Sequence, residues 1–178
     1  MEYIERDIQT EIEKYLKTKE IIAVVGARQC GKTTLINHIL KKQKKRSNTV
    51  SFDNQKLLQL FETDIDSFIN LHVKDFDILF IDEIHYSKDS GRKLKYIYDT
   101  QKIKIIISGS SAAEISIHSL KYLVGRIFTF TLYPFSFKEF LRARNPRLIT
   151  LYQSGKYKEQ VTKELNNYLK EFVLYGGY

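Results

Sequence analysis

The sequence predicts an α/β fold: a five-stranded, mostly parallel sheet flanked by helices, with a helical appendage at its C-terminal end. Three observations lead there. Five short apolar or β-branched runs alternate with segments whose apolar residues recur every three or four positions, the pattern of strands joined by helical crossovers. A glycine-bounded loop, Gly-Ala-Arg-Gln-Cys-Gly-Lys-Thr-Thr (26–34), stands between the first apolar run and a helical stretch. Beyond Pro134 only helical periodicity remains.

Ile4, Ile8, Ile12 and Tyr15/Leu16 predict an amphipathic helix ahead of the first strand, which covers about Glu20 to Val25. The helix after the loop carries Leu35, Ile36, Ile39 and Leu40 and reaches about Lys42. Ser47 to Asp53, rich in β-formers and closed by Asp53-Asn54, is the second strand. Leu57 to Leu71 has helical spacing with a break near Thr63. Asp77 to Asp82 is a continuous apolar run of the buried-strand type. Leu94, Ile97/Tyr98 and Gln101 restore the helical period, and Ile103 to Ile107 is a fourth strand ending at Ser108-Gly109-Ser110-Ser111. A helix over Ala112 to Leu120 and an alternating fifth strand, Arg126 to Leu132, complete the core. Residues 1–134 form that core; 135–178 form the appendage, with helices at Phe137–Ala143, Leu148–Gln153 and Lys158–Tyr175, packed on the sheet rather than standing as a second domain.

Bulk properties narrow the setting. A chain of 178 residues with 43% apolar content, 12 Tyr and 11 Phe can bury one substantial core. No segment approaches the roughly 18–20 continuous apolar residues of a membrane span, and the charged N-terminus lacks a secretory signal. The only cysteine, Cys30, excludes a disulfide framework within one chain. These features point to a cytoplasmic protein without a membrane partner. A net charge of +8 permits nucleic acid as a partner; the densest basic run, Lys41-Lys42-Gln43-Lys44-Lys45-Arg46, also suits the C-terminal end of a helix.

The loop matches G-x-x-x-x-G-K-[ST], the phosphate-binding loop of P-loop NTPases, in the strand–loop–helix context that its chemistry needs. Gly26 and Gly31 permit backbone conformations that turn the amides of Ala27, Arg28, Gln29, Cys30, Lys32, Thr33 and Thr34 toward a phosphate at a helix N-terminus. Lys32 would reach the β- and γ-phosphates of ATP/ADP, and the Thr33 hydroxyl would bind Mg²⁺. Strand three ends in Asp82-Glu83. Asp82 suits Mg²⁺, a hard cation, and Glu83 is placed to align the attacking water.

Ser108, where strand four ends, could touch the γ-phosphate or that water if its strand lies between strands one and three; Ser110 is the second candidate, and helix capping the alternative for both. Arg126 could act as an arginine finger, in its own site or a neighbour's, or form only a structural ion pair; Arg28 raises the same question. His85 is a positioning or surface residue, since the four histidines lack metal-ligand spacing.

With these residues in place, the chain resembles the AAA-type ATPase domain of a large bacterial and archaeal P-loop ATPase family. The matching stretches are the Arg6 helix, residues 26–35, Leu-Phe-Ile-Asp-Glu-Ile (79–84), Ile-Ser-Gly-Ser-Ser-Ala (107–112), Gly125-Arg126, Pro-Phe-Ser-Phe-Lys-Glu-Phe-Leu (134–141) and Leu-Tyr-Gly-Gly-Tyr (174–178). The resemblance implies strand order 5-1-4-3-2 and adenine as the base. It also implies nucleotide contacts from Lys32 and Thr33, a metal role for Asp82, a water-polarising role for Glu83 and a sensor role for Ser108. Cys30 replaces a Val or Ser-like residue. Members of that family continue into a nuclease-like or DNA-binding domain, so the chain resembles the ATPase half of a longer architecture.

The leading expectation is Mg²⁺-dependent ATP hydrolysis. The alternatives are an ATP-gated switch acting on a partner domain, a partner subunit or a second copy, and a DNA-binding module with a regulatory ATP site. A small-molecule kinase is disfavoured, because no arginine-rich lid follows strand four.

Overall fold

The computed structural model describes residues 3–110, 122–155 and 158–175. Its elements are α1 (Gln9–Lys14), β1 (Ile21–Val25), α2 (Lys32–Lys41), β2 (Ser47–Ser51), α3 (Gln55–Thr63), α4 (Ile65–His72), β3 (Ile78–Asp82), α5 (Ser90–Thr100), β4 (Lys104–Gly109), β5 (Ile127–Thr131), α6 (Phe137–Arg144), α7 (Pro146–Ser154) and α8 (Glu159–Tyr175). The expected helix over 112–120 and the last three residues of the 174–178 motif lie outside the described residues.

The sheet has order β2-β3-β4-β1-β5, the predicted 5-1-4-3-2 read from the other edge. Every neighbouring pair is parallel. Crossover helices therefore cover both faces, and β1, β3 and β4 are buried along their whole length, which is why they read as unbroken apolar runs. Alternate residues face opposite layers. Ile21, Ala23, Val25, Leu79, Ile81, Ile105 and Ile107 pack beneath Phe61, Phe68 and Ile97 of α3, α4 and α5. Ile22, Val24, Ile78, Phe80 and Ile106 face Ile12, Leu35, Ile36 and Ile39 of α1 and α2.

One boundary differs from expectation, and the helix break expected near Thr63 is found. α1 begins only at Gln9, because the chain before it is committed to a long-range contact of Arg6 described below. The α3/α4 break falls at Asp64, whose side chain accepts the Ser67 N–H at 3.0 Å and caps α4. The appendage helices pack chiefly on one another, around Leu141, Leu148, Ile149 and Leu165, rather than on the sheet as expected. They meet in contacts such as Phe137–Phe172 and Phe140–Tyr168, while Leu169, Val173 and Leu174 of α8 stay exposed.

Candidate functional site: a phosphate loop over an acidic pair

Parallel strands bring all their carboxyl ends to one edge, and the loop, Asp82, Glu83 and Ser108 meet there. Gly26 lies so close to the residue after β5 that a β-carbon would sit 2.1 Å from the Leu132 carbonyl oxygen. Gly31 has φ of 93°, and Gln29 adopts φ of 65° without being glycine. This turn leaves the first turn of α2 without a side-chain cap, its amides available to an anion. Ala27, Arg28 and Gln29 are exposed on the rim with Thr34, whereas Cys30 is buried in the α1/α2 layer.

Lys32 is 5% exposed, and its Nζ donates to Gly26 O (3.0 Å) and Ala27 O (2.8 Å), which holds the ammonium against the loop. Thr33 Oγ1 donates to Asp82 Oδ2 at 2.8 Å. The other carboxylate oxygen, Oδ1, accepts from Ser108 Oγ and from the Glu83 N–H at 3.2 Å. As the conditional expectation required, β4 lies between β1 and β3. The fully buried Ser108 side chain is turned to Asp82.

Glu83 sits in the left-handed region, φ 53° and ψ 45°, a conformation costing of order 1–3 kcal/mol for a residue with a β-carbon. Burial raises its carboxyl pKa, and the neighbouring Asp82 charge adds to the rise; His85 and Lys32 oppose it in part. His85 Nδ1 lies 3.1 Å from Glu83 Oε2, outside hydrogen-bonding alignment, and its Nε2 lies 3.4 Å from Ser110 Oγ. Of the two expectations for His85, positioning or surface, its burial disfavours the second: its side chain is 9% exposed and faces Glu83.

Arg126 is not brought to this edge. It precedes β5, its carbonyl accepts the Ile21 N–H at 2.7 Å, and its Nε pairs with Asp99 at 3.3 Å at the opposite end of the sheet. A finger acting on its own chain's loop is excluded by that placement, because β1 runs its full length between the two.

The residue missed by sequence reasoning is Arg6. It is 5% exposed and donates to Glu139 Oε1 (3.0 Å), Cys30 O (2.8 Å) and Tyr133 O (2.6 Å), with its guanidinium 4.6 Å from the Phe135 ring centre. Glu139 also accepts the Asp7 N–H and closes a capping box with Ser136 at the start of α6. These contacts and hydrogen bonds hold its pKa down against a burial effect that pushes up. Arg6 thus ties the phosphate loop to the appendage. The sequence carried both partners only as separate stretches of the family resemblance, the Arg6 segment and residues 134–141, which lie 133 residues apart at Arg6 and Glu139.

The AAA domain family model matches residues 18–141, well over half of the chain. The chain belongs to the AAA domain family.

This AAA domain is 29% identical over 174 residues to the uncharacterized protein MJ1544 of Methanocaldococcus jannaschii, covering 96% of the chain and 38% of that protein. It is 33% identical over 160 residues to MJ1637 of the same organism, covering 82% of the chain and 33% of that protein. It therefore spans well under half the length of these relatives. Among solved structures, the RuvB Holliday junction branch migration motor of Thermotoga maritima matches with TM-score 0.57 at 19% identity, over 84% of this chain and 52% of that one. AMPPCP-bound DnaA from Aquifex aeolicus matches with TM-score 0.54 at 20% identity, over 96% and 60%. These structural matches establish the P-loop NTPase fold, and family membership supports nucleotide binding. Among the described residues, no helix is long and apolar enough to cross a membrane.

Proposed function

We propose that this domain binds Mg²⁺–ATP and hydrolyses its β–γ phosphoanhydride bond. The observation that carries the reading is the convergence on Asp82: the loop hydroxyl of Thr33 at 2.8 Å, and beside it Glu83, desolvated and held in a strained backbone conformation. The relatives' names do not bear on activity; the AMPPCP carried by the DnaA neighbour is an ATP analogue and favours adenine.

A hydroxyl and a carboxylate in mutual contact are hard oxygen donors and fit Mg²⁺. Among the described residues no cluster of three or more His, Cys, Asp or Glu could hold a metal alone, so the ion would arrive with the nucleotide, on Thr33 and Asp82. Bound there, Mg²⁺ would neutralise charge on the β- and γ-phosphates. The loop amides cradle the phosphates, and Lys32 moves from its two carbonyl acceptors to the β/γ oxygens. Glu83 accepts a hydrogen bond from the attacking water and aligns it in line with the γ-phosphorus. Ser108 acts through Asp82, fixing the carboxylate oxygen that faces away from Thr33.

Glu83→Gln keeps the shape of the side chain and removes its charge. Nucleotide binding is expected to persist while turnover falls by about 10² or more; unchanged turnover would remove Glu83 from this role.

A second reading, an ATP-gated switch with slow intrinsic hydrolysis, is favoured by one contact. Arg6 joins Cys30 of the loop to Glu139 of α6, so a change of loop shape would be felt in the appendage. Activity per molecule that rises with protein concentration would favour this reading and an intersubunit role for Arg126; strict linearity would argue against both.

A further inference from the structure

We propose that the edge of the sheet opposite the phosphate loop carries a second site, a lysine-lined cleft that holds the phosphodiester backbone of single-stranded nucleic acid. A cleft of about 550 Å³ opens there, lined by Lys17, Lys19, Lys45, Lys102 and Lys104. These lysines come from three separate segments: the approach to β1, the turn before β2, and the turn leading into β4 with that strand's first residue. Lys45, from the densest basic run of the sequence, is thus joined in space by lysines far from it in the chain.

The acids in the cleft wall are already engaged. Asp77 Oδ2 accepts the Arg46 N–H at 2.9 Å, and Asp99 faces Arg126 at 3.3 Å and Lys95 at 3.8 Å. Lys104 is the floor: it is buried, and its Nζ donates to Tyr15 O (2.7 Å), Thr18 O (3.0 Å) and Glu20 O. Burial and the nearby Lys45 charge lower its pKa to about 8, against the pull of Glu20. By contrast Lys17, Lys45 and Lys102 are exposed and form no ion pair or hydrogen bond among the described residues. Five lysines outnumber the two acids of the wall, Asp77 and Asp99, so a net positive charge remains that a polyanion would relieve.

The form of the cleft selects the ligand. Ammonium groups spread over three segments suit a row of phosphates read as point charges, not one phosphate in a bidentate pocket. One ring adjoins the wall, Tyr98 beneath Lys19 at 4.4 Å, and stacking of a base beside it would favour a single strand over a duplex. The five residues of β1, roughly 16 Å at 3.3 Å per residue, separate this cleft from the phosphate loop. Both ligands can therefore bind together, and the proposal does not depend on hydrolysis.

The test is fluorescence anisotropy of a labelled oligothymidylate across a salt series. The wild-type chain is expected to bind, with log affinity falling by about 0.7 per phosphate contact for each tenfold rise in salt. K17E/K45E/K102E should weaken binding at least about tenfold and flatten that slope by about two. K56E/K158E/K170E, the same change of net charge away from the cleft, should stay within about threefold. Calorimetric ATP binding by each variant checks that it is folded, and K102E alone, flattening the slope by about 0.7, serves if the triple variant is not. No binding by the wild type at low salt overturns the proposal. So does equal weakening in both triple variants, which would assign the effect to net charge, and so does binding of anionic lipid vesicles without oligonucleotide.

Discussion

Replacing Arg6 by Met tests the link between loop and appendage, because it keeps a long side chain while deleting the charge and every donor. The change leaves the Glu139 carboxylate buried without its cationic partner, and leaves Cys30 O and Tyr133 O without the donors that now satisfy them at 2.8 and 2.6 Å. Breaking one side of a buried ion pair costs about 3–5 kcal/mol, and each orphaned buried acceptor adds about 1–3 kcal/mol unless water reaches it. Against a total stability of order 5–15 kcal/mol, R6M should lose at least about 3 kcal/mol in urea unfolding. Cys30 O belongs to the loop itself, so nucleotide affinity, measured by calorimetry where the variant is still folded, should weaken at least about tenfold, or 1.4 kcal/mol. Arg6→Lys, able to reach one acceptor but not three, should fall between. A double cycle with Glu139→Gln should show coupling of about 0.5–3 kcal/mol. R6M within about 0.5 kcal/mol of wild type, with unchanged nucleotide affinity, would refute the reasoning.

Three further outcomes follow from the same geometry. Glu139 has a lowered pKa in the folded state, so its stabilisation is present above the ordinary glutamate range near 4.3 and is lost as pH falls through the lowered folded value; acid titration of stability should be less steep in E139Q than in wild type. Arg126→Ala removes a partly exposed pair with Asp99 and should cost no more than about 1 kcal/mol in chemical unfolding, with single-site nucleotide affinity unchanged; a loss of affinity would contradict its placement. Gly26→Ala forces a β-carbon to within 2.1 Å of Leu132 O, so the strand-to-loop junction must move; thermal melting should show a loss of about 1–3 kcal/mol or more, and nucleotide binding should fail with it.

The core was legible because buried parallel strands leave an unmistakable trace: Ile21–Val25, Ile78–Asp82 and Lys104–Gly109 are buried on both faces, and three such runs with two β-rich flanking strands and crossovers admit few topologies. The loop and the acidic pair were legible because their chemistry is local in sequence. What escaped depends on distance along the chain. Ile4 and Ile8 have helical spacing, yet the chain is not helical before Gln9, because Arg6 is drawn to Glu139. His85 could be read as a positioning or a surface residue until the turn after Asp82 brought it against Glu83. Arg126 stayed open between a finger and an ion pair, although the sequence held a clue to its placement: it opens a parallel strand, and the opening end lies away from the ligand edge. The lysine cleft could not be read at all, since its three segments meet only after the sheet forms.

The central claim is that main-chain amides and Lys32 at the end of β1 receive a triphosphate beside the Thr33–Asp82 pair. Isothermal calorimetry of the wild-type chain with ATP and Mg²⁺, set beside Lys32→Ala under the same conditions, tests it directly. Saturable binding by the wild type, lost in Lys32→Ala while its far-ultraviolet spectrum and melting profile stay native, is the expected result. No heat from any nucleoside di- or triphosphate with the wild type, or equal affinity in the two proteins, would contradict it.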